Sequence, residues 1–274
     1  MSKGLWPAVS GSIAQSERLD AIANNLANAD TNGFKRDQVA FTSVLSSAVT
    51  AAQKEDIPRK LYTEKDFHRL DGGESAYAIV EGTHTDFAQG RAKVTGAPLD
   101  VALEGKGFLE VLAPQGTRFT RQGSMRLSAD GALVTMEGFP VLSKGGAELV
   151  PREELAARAI RIDPAKSTQI SITADGKIFQ GREQVAELSV VEFVDPKLLV
   201  KEGSALFQND NAANISAEAT STNVRQGMLE TSNVNSVQEI TEMLKATRMF
   251  EANQKMVRAY GEMESRSVND IGKL

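Results

Sequence analysis

The chain contains no cysteine, and that absence removes disulfides, thiolate metal sites and thiol nucleophiles together. Histidine is almost missing as well. His68 and His84 stand without further spaced ligands and read as surface residues, not as a metal pair. Aromatic residues are few: one Trp, three Tyr and eleven Phe supply a core but no stacking platform for bases. No run of lysine or arginine marks a nucleic-acid surface or a membrane tether, and the net charge of -5 points the same way. No stretch approaches the about 18 continuous apolar residues of a membrane span. The first residues show no charged start followed by an apolar run and a small-residue cleavage site, so no cleaved secretory signal is expected.

Catalytic patterns are also lacking. Gly105-Lys106-Gly107-Phe108-Leu109 has neither the third glycine nor the following helix of a phosphate loop, and reads as a turn between strands. Carboxylates are plentiful, but none stands out as an acid–base pair for glycan hydrolysis. Asp100, Glu104 and Glu110 read as outward faces of strands. No catalytic residue, cofactor, metal site, small-molecule substrate or nucleic-acid partner is expected.

What is present is concentrated at the two ends. Leu5, Val9, Ser12, Ser16, Leu19, Ala23 and Leu26 recur at the alternating spacing of a helix seam, widened by Ile13 and Ile22. Pro7 suits a first helical turn, and Gly33 suits the left-handed residue that closes a helix. Asn24, Asn25 and Asn28 are poor helix formers, because their amides compete for backbone hydrogen bonds. They are read as amides that bond a neighbouring helix, against the plainer reading of a solvated face. Near the other end, Ser236 and Glu239 have the spacing of a capping box. Val237, Ile240, Met243, Leu244, Thr247, Phe250, Met256, Val257 and Tyr260 then form an apolar stripe, opposite Glu239, Glu242, Lys245, Arg248 and Glu251.

The middle changes period. Residues 37–55 are rich in small residues, with Phe41, Val44, Leu45 and Val49 spaced for a weak helix or a linker. From Gly82 the spacing becomes two, the period of strands. Asp130-Gly131 and Asp175-Gly176 mark hairpin turns between Ser124–Leu127 and Ala132–Thr135, and between Gln169–Thr173 and Lys177–Phe179. Ala186–Phe193 reads as one further strand, and Gly203–Thr222 as an extended return. The expected fold class is α+β, with long N- and C-terminal helices around a central antiparallel β domain. The expected segments are an N-terminal helix (1–36), a variable linker (37–84), the β domain (85–205), a return linker (206–230) and a C-terminal helix (231–274).

Several of these stretches resemble the axial proteins of the bacterial flagellum, the rod and hook family. Asn24-Asn25-Leu26-Ala27-Asn28 with Thr31-Asn32-Gly33-Phe34-Lys35 is similar to that family's N-terminal signature. Gly227-Met228-Leu229-Glu230-Thr231-Ser232-Asn233-Val234-Asn235 is similar to its C-terminal one. Thr85–Gly90, Gly96–Phe108 and Arg118–Ser124 with Asp130-Gly131 resemble its central motifs, with Gln122 where alanine is usual. The single β unit favours the FlgF type, a proximal-rod protein, over the FlgG type of the distal rod.

The resemblance implies a self-assembling subunit of the basal-body rod, exported by the flagellar type III apparatus without a cleaved signal and placed in the periplasm. It implies terminal helices that pair in an axial helical core of a torque-transmitting tube, with other rod subunits and further copies of the chain as partners. The expected assembly interface comprises Leu19, Ile22, Asn24, Asn25, Leu26, Asn28, Gly33, Phe34, Leu229, Asn233, Asn235, Val237, Ile240, Leu244 and Phe250. The termini are expected to stay disordered in the isolated chain and to fold on assembly. The competing expectation is a monomeric binding module, in which the terminal helices close a hairpin beneath a β domain.

Overall fold

The computed structural model describes residues 5–45, 76–145, 152–163, 169–203, 205–215 and 221–271. The chain divides into two compact units. The first holds helix α1 (Leu5–Ala27) up to Leu26, strands β1 (Asp37–Leu45) and β2 (Ala76–Thr85) up to His84, and helix α3 (Ser236–Ile271). The second holds residues 27–36 and 85–235, which carry the other strands and the short helix α2 (Arg152–Ala157).

In the first unit, α1 and α3 run antiparallel through a ladder of polar contacts. Asn25 Nδ2 lies 3.5 Å from Glu239 Oε2, and Arg18 Nη2 donates to Glu242 Oε2 at 2.6 Å. Gly11 faces Asn253 so closely that a Cβ would sit 3.0 Å from its amide nitrogen. The buried positions of α1 are Ala8, Ala14, Ile22 and Asn25, whereas Ser16 and Ala23 of the expected seam are exposed. Packing has buried the small residues Ala8 and Ala14, with Gly11 beside them against the Asn253 side chain. The leucine-bearing seam is left half-buried.

The stripe expected on α3 is shifted in the same way. Glu239, placed on the solvent face by the sequence, is only 1% exposed, while Val237, Ile240 and Leu244 are exposed. The segment read as a weak helix from residue 37 is instead strand β1, paired with β2. The remainder of that segment, and His68, lie outside the described residues.

The second unit is built on an antiparallel five-stranded sheet in the order β12 (Val190–Val191), β5 (Phe108–Ala113), β6 (Gly116–Thr120), β14 (Leu206–Gln208), β13 (Val200–Glu202). All six residues of β5 are buried, which explains its nearly unbroken apolar run. Leu109 and Val111 enter a core shared with Leu103, Leu133, Ile160 and Ile178. Phe108, on the other face, joins Phe119, Phe193 and Phe207. Ring centroids there lie 4.9–5.6 Å apart, mostly edge to face, the arrangement favoured by the ring quadrupoles.

The expected hairpins are present. β7 (Met125–Leu127) pairs with β8 (Leu133–Thr135), and β9 (Ile170–Ile172) with β10 (Lys177–Gln180), which also pairs with β11 (Glu183–Glu187). Gly131 and Gly176 take φ +75° and +81°, the left-handed region their turns require. Gly105-Lys106-Gly107, by contrast, does not close a hairpin. β4 (Val101–Glu104) pairs with β15 (Asn223–Gln226), so the chain crosses to another sheet before β5. Ala186–Phe193 is likewise divided between β11 and β12 in two sheets. Within 206–230 the structure places strands β14, β15 and β16 (Met228–Glu230), the last paired with β3 (Ala92–Val94).

Candidate functional site

Two short arms of the chain meet inside the second unit: residues 27–36, which follow α1, and residues 228–235, which precede α3. At their junction lies a buried ion cluster. Glu230 Oε1 accepts from Lys35 Nζ at 2.6 Å and from the Gly90 N–H at 2.8 Å. Glu230 Oε2 accepts from Arg121 Nη1 at 3.3 Å. The three side chains are 1–3% exposed. Lys35 Nζ also donates to the Ala88 carbonyl at 2.8 Å, and Arg121 Nη2 to the Gly105 carbonyl at 2.7 Å. The Arg121 guanidinium covers the Phe108 ring at 4.8 Å, joining the cluster to the aromatic core.

The backbone is held as tightly as the charges. The Glu230 carbonyl accepts the Gly33 N–H at 2.8 Å, so one residue holds the first arm by both main chain and side chain. Gly33 has φ +72°, and a Cβ there would lie 2.5 Å from the Arg121 carbonyl carbon and the Gln122 nitrogen. Asn233 completes the clasp. Its Oδ1 accepts the Arg36 N–H at 2.8 Å, and its Nδ2 donates to the Asp86 carbonyl at 2.8 Å and the Ala88 carbonyl at 3.1 Å.

The electrostatics follow from burial. Lys35 is pushed below the ordinary lysine range by loss of solvent, with Arg121 adding to the shift, while Glu230 and the more distant Asp86 pull the other way. Arg121 is lowered by burial too, opposed by Glu230 and Glu192. Two cations share one carboxylate. The arrangement offers no free nucleophile and no open ligand position, and among the described residues no group of three or more acidic, His or Cys side chains could hold a metal. What it can do is hold chain segments in register.

The residues expected to form an assembly interface fall into two sets. Phe34 and Leu229 are buried in the second unit with Gly33, and Asn233 is spent on the clasp. Asn28 Oδ1 accepts from Thr31 Oγ1 at 3.2 Å in the same unit, and Asn235 is exposed. In the first unit, Asn25 does not chiefly join helix to helix. Its Nδ2 donates to the Asp37 carbonyl and its Oδ1 accepts the Asp37 N–H, both at 2.8 Å, bracing the start of β1. Ile22 is buried, Leu19, Leu26 and Phe250 are half-buried, and Asn24, Val237, Ile240 and Leu244 are exposed.

Sequence reading missed Lys35, Arg121 and Glu230, although each stood inside a quoted motif. Lone charges in a motif give no sign that they will be buried together. Glu110 was also misplaced. Far from facing outward, it is 8% exposed and pairs with Arg158 at 2.6 Å and the Ser189 hydroxyl at 2.6 Å.

Helices at both ends and an antiparallel β unit whose two flanking arms are held by a buried ion cluster define an α+β protein clasped at its core. Comparison with known proteins is in keeping with this. A flagella basal body rod protein family matches residues 7–35, a flagellar hook protein FlgE/F/G D1 domain residues 102–180, and a flagellar basal body rod FlgEFG protein C-terminal family residues 225–271. The flagellar basal-body rod protein FlgF of Caulobacter vibrioides is 31% identical over 276 residues, covering 100% of both chains. FlgG of Buchnera aphidicola subsp. Acyrthosiphon pisum is 33% identical over 96% of this chain and 97% of its own, and FlgG of Borreliella burgdorferi 30% identical over 96% of each. The chain belongs to the family of flagellar basal-body rod proteins of the FlgF/FlgG type, structural proteins of the basal body and not enzymes. Lys35, Arg121 and Glu230 each come from a different one of the three matched regions.

Proposed function

We propose that the chain is a rod subunit of the FlgF type that assembles, through its terminal helices, with further copies and other rod subunits into a helical axial tube transmitting motor torque. In this reading it reaches the periplasm through the flagellar type III export apparatus. The observation that carries the proposal is the row Val237, Ile240, Leu244 on α3, exposed by 76, 47 and 57% while the helix buries Glu239 and Ala246 instead. An apolar row left open by its own chain is completed by neighbours in a lattice. Leu19, Asn24, Leu26 and Phe250, which keep exposed surface, belong to the same contact; Ile22 and Asn25, buried within the first unit, contribute by fixing α1, and Asn28, Gly33, Phe34, Leu229, Asn233 and Asn235 by holding the arms from which the helices emerge.

The test is sedimentation and electron microscopy of the purified protein over a concentration series, alone and with the neighbouring rod subunits of its organism. Filaments or co-assemblies that grow with concentration and vanish in Leu244→Asp are expected. A monomer throughout, together with normal swimming of cells carrying Leu244→Asp, would overturn the reading. The antiparallel α1–α3 contacts favour a second reading, a self-contained helical hairpin. It requires both helices to resist protease equally at every concentration, whereas the rod reading requires protection that rises with assembly.

A further inference from the structure

We propose that the Lys35–Glu230–Arg121 cluster is a completion lock, which lets the first arm dock on the β unit only when the second arm has arrived. Glu230 lies 195 residues beyond Lys35, so a chain synthesised from its N-terminus presents both cations long before their shared anion. Docking residues 31–36 without Glu230 buries Lys35 against Arg121 with only the weaker pulls of Asp86 and Glu192 to offset them, and no carboxylate bonded to either cation, which a low-dielectric interior disfavours. It also leaves the Gly33 N–H without the Glu230 carbonyl and the Arg36 N–H without Asn233. When residues 228–235 enter, one residue answers most of these needs at once. Its carboxylate takes Lys35, Arg121 and the Gly90 N–H, and its carbonyl takes Gly33. The two arms therefore close in a single step.

For the rod subunit proposed above, and resting on that reading, the consequence is timing. α1 directly precedes the first arm and α3 directly follows the second, so the arms at the roots of both helices are set together and only in a complete chain. An incomplete chain keeps its first arm loose and cannot enter the lattice in register.

The experiment uses full-length protein as purified monomer: wild type, Glu230→Gln, and Glu230→Gln combined with Lys35→Met. Hydrogen exchange is read over residues 31–36, trypsin cleavage after Arg36, and exchange over β5 and β6 as the internal control. Wild type is expected to protect the arm. Glu230→Gln should speed exchange of residues 31–36 by about tenfold or more while β5 and β6 stay protected. Adding Lys35→Met, which removes one of the two stranded cations, should restore most of that protection. An arm as protected in Glu230→Gln as in wild type overturns the lock, as does loosening of arm and control strands together without recovery in the double variant. If Glu230→Gln does not fold, the double variant decides: folding with a protected arm supports the lock, and failure to fold overturns it. These readouts need no polymer, so a protein that shows the lock yet never assembles would refute the rod reading alone.

Discussion

Gly33 shows how much one position can carry. Its left-handed φ and its contact with the backbone of Arg121 and Gln122 leave no room for a side chain. Gly33→Ala should therefore lose about 1–2 kcal/mol to the left-handed conformation and about 1–3 kcal/mol more to overpacking, measured by urea unfolding of the second unit. Lys35 gives a second residue-level expectation. Burial lowers its proton affinity in the folded chain, so the unfolded chain holds the proton up to higher pH. Between the lowered value and the ordinary 10.5, the unfolded state binds more protons, and stability should rise with pH across that window. Below the window both states are charged and the contribution is flat. Unfolding free energies of wild type relative to Lys35→Met, followed against pH, check the sign, the difference reporting Lys35 together with its interactions with Glu230, Arg121 and Asp86.

At the scale of elements, the helices and strands were legible in different degrees. The hairpins around Asp130-Gly131 and Asp175-Gly176 stand where the turn dipeptides placed them, because a tight turn closed by a left-handed glycine is a local property. The helix α1 was legible in its presence but neither in its end, which falls at Ala27 and not at the Gly33 expected to close it, nor in its facing. Periodicity ranks faces by hydrophobicity, whereas packing buried Ala8, Ala14, Ile22 and Asn25 and set Gly11 against Asn253 of α3. Strand β1 was unreadable for a related reason: Phe41, Val44 and Leu45 suit a helix spacing, and only pairing with β2 makes the segment extended. Asn25→Ala tests the α1–β1 junction. Removing both bonds to Asp37 leaves its part-buried N–H and carbonyl without their partner, and should cost the first unit about 1 kcal/mol, seen as a lower denaturation midpoint. Leu244→Asp on the open side of α3 should shift monomer stability by no more than about 0.5 kcal/mol while abolishing association in sedimentation. A large stability loss would place Leu244 inside the monomer's own packing.

For the whole molecule, the division into units does not follow the order of the chain. Residues 27–36 and 228–235 fold with the β unit, although the sequence assigned most of both to the terminal helices. Hydrogen exchange of the purified monomer is accordingly expected to show 28–36 and 228–235 protected together with β5 and β6. Free exchange of these arms in wild type would overturn both this expectation and the lock. What the sequence determined by itself was whatever depends on near neighbours and on composition: the helical ends, the hairpin turns, the strand period, the absence of thiol chemistry, and the family carried by its motifs. What only the tertiary structure decided was which charged and amide side chains meet. Lys35, Arg121 and Glu230 come together through contacts spanning 195 and 109 residues. No local pattern encodes such a meeting, because burying a charge is unfavourable for each residue alone and becomes tolerable only when all three arrive together.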